Sequence, residues 1–175
     1  MPSVTVVRGN LFDSSCQTLT NTVNTVGVMG AGIAKQFKAR FPLMFEDYRR
    51  RCDLGQVRIG QPYLWKPRET DAKFVLNFPT KQHWRDKSQL TWIEGGLEYL
   101  LIHYREWGIG SLALPALGCS NGGLKWNQVK PVMERYLNEM DIPVEVYEPL
   151  PESDSQPRGR KRAKKVKVSP QRQLL

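Results

Sequence analysis

The chain has 175 residues, of which 40% are hydrophobic and 25% charged, and a formal net charge of +9. This length suits one domain plus a tail, and because no apolar run approaches the about 20 residues of a membrane span, we expect no membrane association. The scattered Cys16, Cys52 and Cys119 argue against a disulfide framework and favour a reducing cytoplasm, while two histidines without a C-x-x-C motif argue against a metal site.

Apolar and β-branched runs of strand length alternate along the chain with segments of helical periodicity. The predicted strands are 4–9, 16–24, 62–66, 73–79, 111–115 and 144–149. The predicted helices are 31–40, 42 to about 54 with Gly55 after its end, a long helix with Ser88 as N-cap, and 125–139. This alternation indicates an α/β sandwich in which helices cover both faces of a mostly parallel sheet.

The positive charge is concentrated at the carboxyl end. Residues 151–175 contain eight Lys and Arg against two Asp and Glu, net +6, which leaves net +3 for residues 1–150. Apolar residues nearly vanish in the last segment, so we expect a folded domain over 1–150 and a disordered basic tail over 151–175. Such a tail either solubilises the protein or attracts nucleic-acid phosphates, and its composition leaves both interpretations open.

Glycine-rich loops follow two of the predicted strands, at 27–32 and at 118–123. In parallel α/β sheets ligands bind beyond the carboxyl ends of the strands, and unpaired N–H groups at the start of a helix favour phosphate. Neither loop matches G-x-G-x-x-G or the P-loop, since no Lys-Ser/Thr follows. The pair predicts a nucleoside diphosphate held between two loops rather than ATP hydrolysis, with two simple turns as the alternative.

Two asparagines precede the first loop. We interpret Asn21 as an amide that caps a turn through its own backbone. Asn24 stands at the strand end beside the glycines, where its amide can both donate and accept. The residues alone leave two interpretations of Asn24 open, a structural one and a hydrogen bond to a sugar hydroxyl.

The segment "NFPTKQHWR" at 77–85 places Lys81, His83, Trp84 and Arg85 directly after a strand. It is either a solvated basic loop with one packed aromatic ring, or a lysine in a cleft next to a surface for a nucleobase and a phosphate. A lysine that is desolvated or close to other cations has a lowered pKa, and it can act as a nucleophile or an acid.

Four segments carry a family resemblance: "VVRGNLF" (6–12), "VNTVGVMGAGIAKQFKARFP" (23–42), "NFPTKQHWRDKSQLTWIEGGL" (77–97) and "LPALGCSNGGLKW" (114–126). Together they resemble the macrodomain family, and more narrowly its DarG-type branch, the antitoxins of the DarT–DarG system. The resemblance implies a three-layer α/β/α macrodomain with a central, mostly parallel mixed sheet. It also implies a hydrolase that removes ADP-ribose from thymidine bases of single-stranded DNA, without a cofactor or metal.

The resemblance also assigns roles to individual residues. Lys81 matches the lysine required for hydrolysis, and Asn24 matches the asparagine at the distal ribose. The implied ADP-ribose contacts are Asn10 and Leu11 in the adenine-contacting stretch, Thr80, then Gly30, Ala31, Gly32 and Ile33 in the first diphosphate loop, and Gly118, Cys119, Ser120, Asn121, Gly122 and Gly123 in the second. The predicted DNA contacts are His83, Trp84 and Arg85.

The sequence departs from the family pattern at several places. Asn10 stands where many macrodomains have Asp, and Ser120 and Asn121 stand where DarG-like loops commonly have Gly and Leu. Gly122 occupies the position of an aspartate that a related human-type glycohydrolase uses beside its lysine, so a Lys–Asp pair is not carried over. We expect no counterpart of the second domain typical of DarG antitoxins, so the resemblance does not imply toxin binding through that domain.

The expected partners are ADP-ribose, ADP-ribosylated single-stranded DNA and a DNA ADP-ribosyltransferase toxin, and we expect a monomer. Lys81 can either protonate or stabilise the departing thymine or attack the sugar carbon, and the sequence does not decide between these schemes. Three other functions remain as alternatives. They are an ADP-ribose-binding reader, a hydrolase of ADP-ribosylated protein or small ADP-ribose conjugates, and a basic nucleic-acid-binding protein.

Overall fold

The computed structural model describes residues 4–69 and 71–150. The strands in this part of the chain are β1 (Val4–Val7), β2 (Thr18–Asn24), β3 (Tyr63–Trp65), β4 (Phe74–Lys81), β5 (Leu112–Pro115) and β6 (Val144–Tyr147). The helices are α1 (Gly32–Arg40), α2 (Pro42–Asp53), α3 (Leu90–His103) and α4 (Trp126–Leu137), and a 3₁₀ turn spans Leu11–Asp13.

The strands form one sheet in the order β1-β6-β5-β2-β4-β3. Every neighbouring pair is parallel except β3 with β4, which is antiparallel. Parallel neighbours need crossover connections, and the helices that supply them cover the sheet. The prediction of a three-layer α/β/α fold with a mostly parallel mixed sheet is confirmed.

Two hydrophobic clusters fill the space between the sheet and its helices. In β4, Val75 packs in the cluster beneath α1 and α2, while the next residue, Leu76, packs in the cluster beneath α3 and α4. Successive side chains of a strand point to opposite faces, so the two clusters lie on the two sides of the sheet. This double burial explains why β5 reads as a continuous apolar run.

The predicted elements are all present, and their ends differ from the prediction by up to two residues. Gly55 follows α2 with φ at +69°, as expected for a residue that ends a helix. The prediction for Ser88 was wrong, because α3 begins at Leu90 with Gln89 as its N-cap. Ser88 is buried instead, and its N–H donates to Gly122 O at 2.9 Å. It therefore anchors the second glycine loop rather than the helix.

Gly96 marks a close approach of α3 to the sheet. A Cβ at Gly96 would lie 2.3 Å from Phe78 Cζ, whereas the nearest atom to a Cβ at Gly95 is Gly60 Cα at 4.0 Å. We expect Gly96→Ala to lower the free energy of unfolding by about 1–3 kcal/mol, because the buried Phe78 ring must shift. Gly95→Ala is the matched control and should be neutral or stabilising by up to about 1 kcal/mol through helix propensity. Chemical denaturation measures both, and equal stability of the two variants would contradict the close approach.

None of the helices in residues 4–69 and 71–150 is long and apolar enough to cross a membrane. The predicted basic tail, 151–175, lies outside the described residues. Its disorder and the domain boundary at 150 stay predictions.

Candidate functional site

A cleft of about 1450 Å³ lies where β2, β4 and β5 end and the glycine loops begin. Most of the predicted site residues line it: Asn10, Leu11, Asn24, Gly30, Ala31, Gly32, Ile33, Thr80, Lys81, Trp84, Gly118, Cys119, Ser120, Asn121 and Gly122. Gly123, His83 and Arg85 are not part of its lining. The tertiary structure thus brings four separate stretches of the chain to one concave site.

The first glycine loop runs directly into α1. Gly32, the first residue of the helix, has φ at +56°, a conformation that favours glycine, and Ala31 before it offers no side-chain cap. The N–H groups of a first helical turn have no carbonyl four residues back, so those of Gly32, Ile33 and Ala34 remain available to an anion. This end of the cleft is suited to a phosphate group.

The second glycine loop is held from within by its own backbone. Gly118 O accepts the N–H of Leu124 at 2.9 Å, and Gly122 O accepts that of Ser88 at the same distance. A Cβ on Gly122 would lie 2.4 Å from both Gly118 O and Ser88 Oγ. No side chain fits there without moving the loop, so the absence of an aspartate at this position follows from the packing.

The two glycine loops approach each other at Asn121. The Nδ2 atom of Asn121 lies 3.0 Å from the place that a Cβ on Gly32 would take. The departure from the family pattern at Asn121 therefore adds an amide donor between the loops. A diphosphate held there would meet this amide as well as the backbone N–H groups.

Asn24 braces the first glycine loop with both ends of its amide. Its Nδ2 donates to Val28 O at 2.7 Å, and its Oδ1 accepts the N–H groups of Val26 at 3.1 Å and Val28 at 3.4 Å. The residue is 7% exposed and still lines the cleft. Val28 O uses one of the two Nδ2 hydrogens and leaves the other for a ligand. The structural interpretation of Asn24 is correct, and contact with a sugar hydroxyl stays a prediction beside it.

Tyr48 holds Asn24 in place through its buried hydroxyl, and no feature of the sequence indicated this role. This residue of α2 is fully buried, and its hydroxyl lies 2.8 Å from both Asn24 O and Asn24 Oδ1. Burial raises the pKa of the Tyr48 phenol, so the group stays a neutral donor. Tyr48 is a positioning residue, since it acts on the cleft through Asn24.

We expect Tyr48→Phe to lower the free energy of unfolding by about 1 kcal/mol, because buried acceptors of Asn24 lose their donor. The ADP-ribose binding that the resemblance implies should weaken by up to about tenfold, roughly 1.4 kcal/mol, because the Val26–Val28 turn is less firmly held. Denaturation and calorimetric titration measure the two effects. Tyr136→Phe is the control, since its hydroxyl bonds Glu94 at the surface of α4. Equal ADP-ribose affinity of Tyr48→Phe and Tyr136→Phe would show that the Tyr48 hydroxyl does not support ligand binding.

The structure corrects the interpretation of Asn21. Asn21 lies within β2 and is fully buried, and its Nδ2 donates to Asn77 Oδ1 of β4 at 3.2 Å and to Met29 Sδ at 3.7 Å. It joins two neighbouring strands to the first loop, and it does not cap a turn through its own backbone. Asn77 is far away in sequence, which is why the local pattern was misleading.

Lys81 ends β4 at the floor of the cleft. The register of β2 with β4 shifts after Val23, so that Asn24 pairs with Lys81 and Thr80 is passed over. Irregularities of this kind re-aim side chains beside active sites. The Lys81 ammonium donates to Trp84 O at 3.3 Å. Partial burial lowers the pKa of Lys81, and the Asp86 carboxylate opposes this shift with a smaller effect.

The loop after β4 carries the predicted DNA contacts. Gln82 O accepts the Thr25 N–H at 3.0 Å and the Thr25 hydroxyl at 2.8 Å, which ties this loop to the first glycine loop. Trp84 is 46% exposed, and the Arg85 guanidinium lies 4.5 Å from the centre of its ring. His83 Nδ1 accepts the Arg85 N–H at 3.1 Å, which orders the turn. An exposed indole beside a guanidinium suits a nucleobase and a phosphate.

Cys119 lies in the cleft without the properties of a nucleophile. Burial raises the pKa of its thiol to about 11, and its Sγ lies 3.6 Å from Leu117 O. The reactive form of cysteine is the thiolate, which is scarce at neutral pH under these conditions. Cys119 therefore contributes the backbone and shape of the second loop.

The far end of the cleft lies beside the 3₁₀ turn. Asn10 Oδ1 accepts the Phe12 N–H at 3.0 Å, so this oxygen caps the turn, and adenine contact by Asn10 stays a prediction. Phe12 and Tyr147 also line this end and were missed by the sequence prediction. Phe12 is the last residue of the quoted "VVRGNLF" segment and could have been found there. Tyr147 is brought in by the position of β6 between β1 and β5, where it lies opposite Val7 and Pro115.

Comparison with known proteins agrees with this geometry. The family model for the Macro domain matches residues 20–133. A DNA ADP-ribosyl glycohydrolase of Thermus aquaticus is 43% identical over 146 residues, which cover 82% of this chain and 41% of that protein. The chain spans about two fifths of the length of the curated relatives that it matches at this level of identity.

Two solved structures are similar in sequence as well as in fold. The macrodomain of Mycobacterium tuberculosis DarG is 41% identical with a TM-score of 0.82, and the match covers 86% of this chain and 100% of that one. Thermosipho africanus DarTG in complex with ADP-ribose is 42% identical with a TM-score of 0.82, over 86% of this chain and 42% of that one.

Proposed function

The chain belongs to the Macro domain family, and from this premise we propose that it is an ADP-ribosyl glycohydrolase that removes ADP-ribose from thymidine bases of single-stranded DNA. The names of its curated relatives support the reaction class. The cleft supports the chemistry, because it combines anion-binding loops with a group that can transfer a proton or attack a carbon.

The observation that carries the proposal is the position of Lys81. It enters the same cleft as both glycine loops, and the strand register sets it opposite Asn24. A domain that only binds ADP-ribose needs the loops but no partly desolvated lysine beside the sugar end. Perturbed ionisable groups in a cleft are typical of catalytic sites, and the lowered pKa of Lys81 fits that pattern.

The cleft suggests how ADP-ribose would lie in it. The N–H groups of Gly32, Ile33 and Ala34 face one phosphate, and the second loop takes the other. The adenine end lies toward Phe12, and the distal ribose lies beside Asn24. Both ends of the ligand are then fixed in the cleft. This presents the anomeric carbon to Lys81 and lowers the barrier by positioning.

Hydrolysis breaks the bond between the anomeric carbon and a thymine nitrogen. Water supplies a hydroxyl to that carbon and a proton to the nitrogen, which would otherwise leave as an anion. In one scheme charged Lys81 delivers this proton or stabilises the anion. In the other, neutral Lys81 attacks the anomeric carbon, the bond from that carbon to the thymine nitrogen breaks, and the thymine leaves with the proton that the attacking amine gives up. Water then hydrolyses the Lys81–sugar adduct, which releases ADP-ribose and returns the neutral amine. Both schemes give free ADP-ribose and unmodified thymidine.

A turnover assay tests the proposal with a single-stranded oligonucleotide that carries one ADP-ribosylated thymidine. We expect release of ADP-ribose and of the intact, unmodified oligonucleotide. ADP-ribosylated protein is tested in parallel. Release of ADP-ribose from the protein but not from the oligonucleotide would show that protein, and not DNA, is the substrate. Binding of ADP-ribose without release from either would make the chain a reader. If ADP-ribose does not raise the melting temperature, the glycine loops do not bind ADP-ribose and the proposal fails.

The proposed substrate requires an enzyme that makes it, a DNA ADP-ribosyltransferase. Segment 151–175 lies outside the described residues, and we propose from its charge that it adds salt-sensitive attraction to DNA.

A further inference from the structure

A second depression, of about 310 Å³, adjoins the cleft. Val28 and Gly30 line both, so the first glycine loop forms a shared rim between them. The remaining lining comes from the same loop and from α1 and α2. Anything that leaves the sugar end of the cleft across this rim enters the depression.

The depression contains two cationic side chains that make no ion pair among the described residues. Lys38 and Arg49 line it and are exposed, and neither makes an ion pair within residues 4–69 and 71–150. The Lys38 ammonium lies over the Phe45 ring, 4.3 Å from its centre. By contrast, the next two arginines along α2 both pair with Asp47. Asp53 also lines the depression, so its ionised side chains sum to one positive charge.

The loop that forms the rim exposes apolar surface. Val26 is 47% exposed and Val28 is 41% exposed, although both are aliphatic. Their backbone N–H groups are taken up by Asn24 Oδ1, so the turn that presents them is well held. Aliphatic side chains next to unpaired cations match a nucleotide, which offers apolar faces of sugar and base together with a phosphate.

We propose that this depression binds the nucleotide that adjoins the modified thymidine in the substrate strand. Arg49 and Lys38 contact its phosphate, and Val26 and Val28 pack against its sugar or base. The inference rests on the proposed function, because the thymine would lie beside Asn24, whose amide holds Val28. The strand that carries this thymine then crosses the rim at Val28 and Gly30. The net positive charge of the lining favours the phosphates of a DNA strand over an uncharged group such as a sugar.

The test compares two substrates, the ADP-ribosylated oligonucleotide and an ADP-ribosylated thymidine nucleoside without flanking phosphates. For the double variant Lys38→Ala/Arg49→Ala we expect the KM for the oligonucleotide to rise about tenfold with kcat unchanged. The logarithmic dependence of affinity on salt should flatten by about 0.7 for each lost phosphate contact. The KM for the nucleoside should not change, because it does not reach the depression.

Two further variants sharpen the comparison. Lys130→Ala/Arg135→Ala removes the same charge from α4, on the other side of the sheet, and should leave both KM values unchanged. Asp53→Asn removes the opposing carboxylate from the depression and should lower the KM for the oligonucleotide. An opposite sign for Asp53→Asn would contradict phosphate binding at this place.

The outcomes separate this inference from the proposed function. An unchanged KM for the oligonucleotide in the double variant overturns the inference, and so does an equal rise for the nucleoside. If the wild type releases ADP-ribose from neither substrate, the proposed function fails. Fluorescence anisotropy with an unmodified oligonucleotide then tests, independently of catalysis, whether the depression binds a DNA strand. Weaker binding by the Lys38/Arg49 variant than by the α4 control supports it, and equal binding overturns it.

Discussion

Lys81→Ala should reduce the rate of ADP-ribose release from modified DNA by about 10²–10⁴-fold, the range that a positioned proton donor or acceptor contributes. The methyl group of alanine can neither protonate the leaving thymine nor attack the sugar. The loops that hold the diphosphate are untouched, so the Kd for ADP-ribose should change by less than about threefold. Single-turnover kinetics and calorimetric titration measure the two quantities.

Lys130→Ala on the exposed surface of α4 is the matched control, and it should retain the wild-type rate. A Lys81→Ala variant with full activity would refute the catalytic assignment. Loss of ADP-ribose affinity in parallel with the rate would instead make Lys81 a binding residue. The substitution would then destabilise the bound ground state as much as the transition state.

The pH dependence of the same reaction distinguishes the two schemes for Lys81. Burial lowers the pKa of this ammonium, which brings its titration closer to neutral pH. A nucleophile must be neutral, so the rate would rise with pH and level off above that lowered pKa. A proton donor must be charged, so the rate would fall as pH passes above it. Trapping of a covalent Lys81–ribose adduct by borohydride would support the scheme in which Lys81 is the nucleophile.

Gly122→Ala should weaken ADP-ribose binding by more than about tenfold and lower the free energy of unfolding by about 1–3 kcal/mol, as overpacking does. Its Cβ would lie 2.4 Å from Gly118 O, a backbone atom that cannot swing aside as a side-chain terminus can. The loop must therefore open, which also strains the hydrogen bond from the Ser88 N–H. Titration with ADP-ribose and denaturation measure both effects.

Gly95→Ala adds the same methyl group at an open position of α3 and is the control for Gly122→Ala. It should bind ADP-ribose as the wild type does. If Gly122→Ala keeps full affinity and stability, the second loop does not have the packing described here and is not required as a rigid phosphate cradle.

The family and the outline of the site were accessible from the sequence because their signals are local. Strand and helix periodicities reflect which side chains face the two clusters, and each is visible within a few turns. Glycine-rich segments after strands mark where backbone must come close to a ligand. The residues alone left Lys81 either in a solvated basic loop or in a cleft, and the resemblance to the DarG-type branch assigned it to hydrolysis. Its place in the cleft agrees with the rule that strand ends face the ligand side of a parallel sheet.

Contacts between distant segments were not accessible in this way. The roles of Asn21 and Ser88 were misjudged, since their partners, Asn77 and Gly122, lie far along the chain. Nothing around Tyr48 in the sequence distinguishes it from an ordinary core tyrosine. Its hydroxyl has a role only because the packing of α2 on β2 delivers it to Asn24.

The sequence by itself therefore determined the fold class and the places of the two glycine loops, since these follow from residue types at short spacing. Lys81 was assigned through the resemblance to the DarG-type branch, and its catalytic role stays a prediction. Only the tertiary structure decided that Asn24 is braced by Tyr48, that Gly122 admits no side chain, and that the cleft shares a rim with a basic depression. These properties depend on which remote atoms fill the space around a residue. That arrangement is settled by the packing of the whole domain and leaves no mark on the neighbouring sequence.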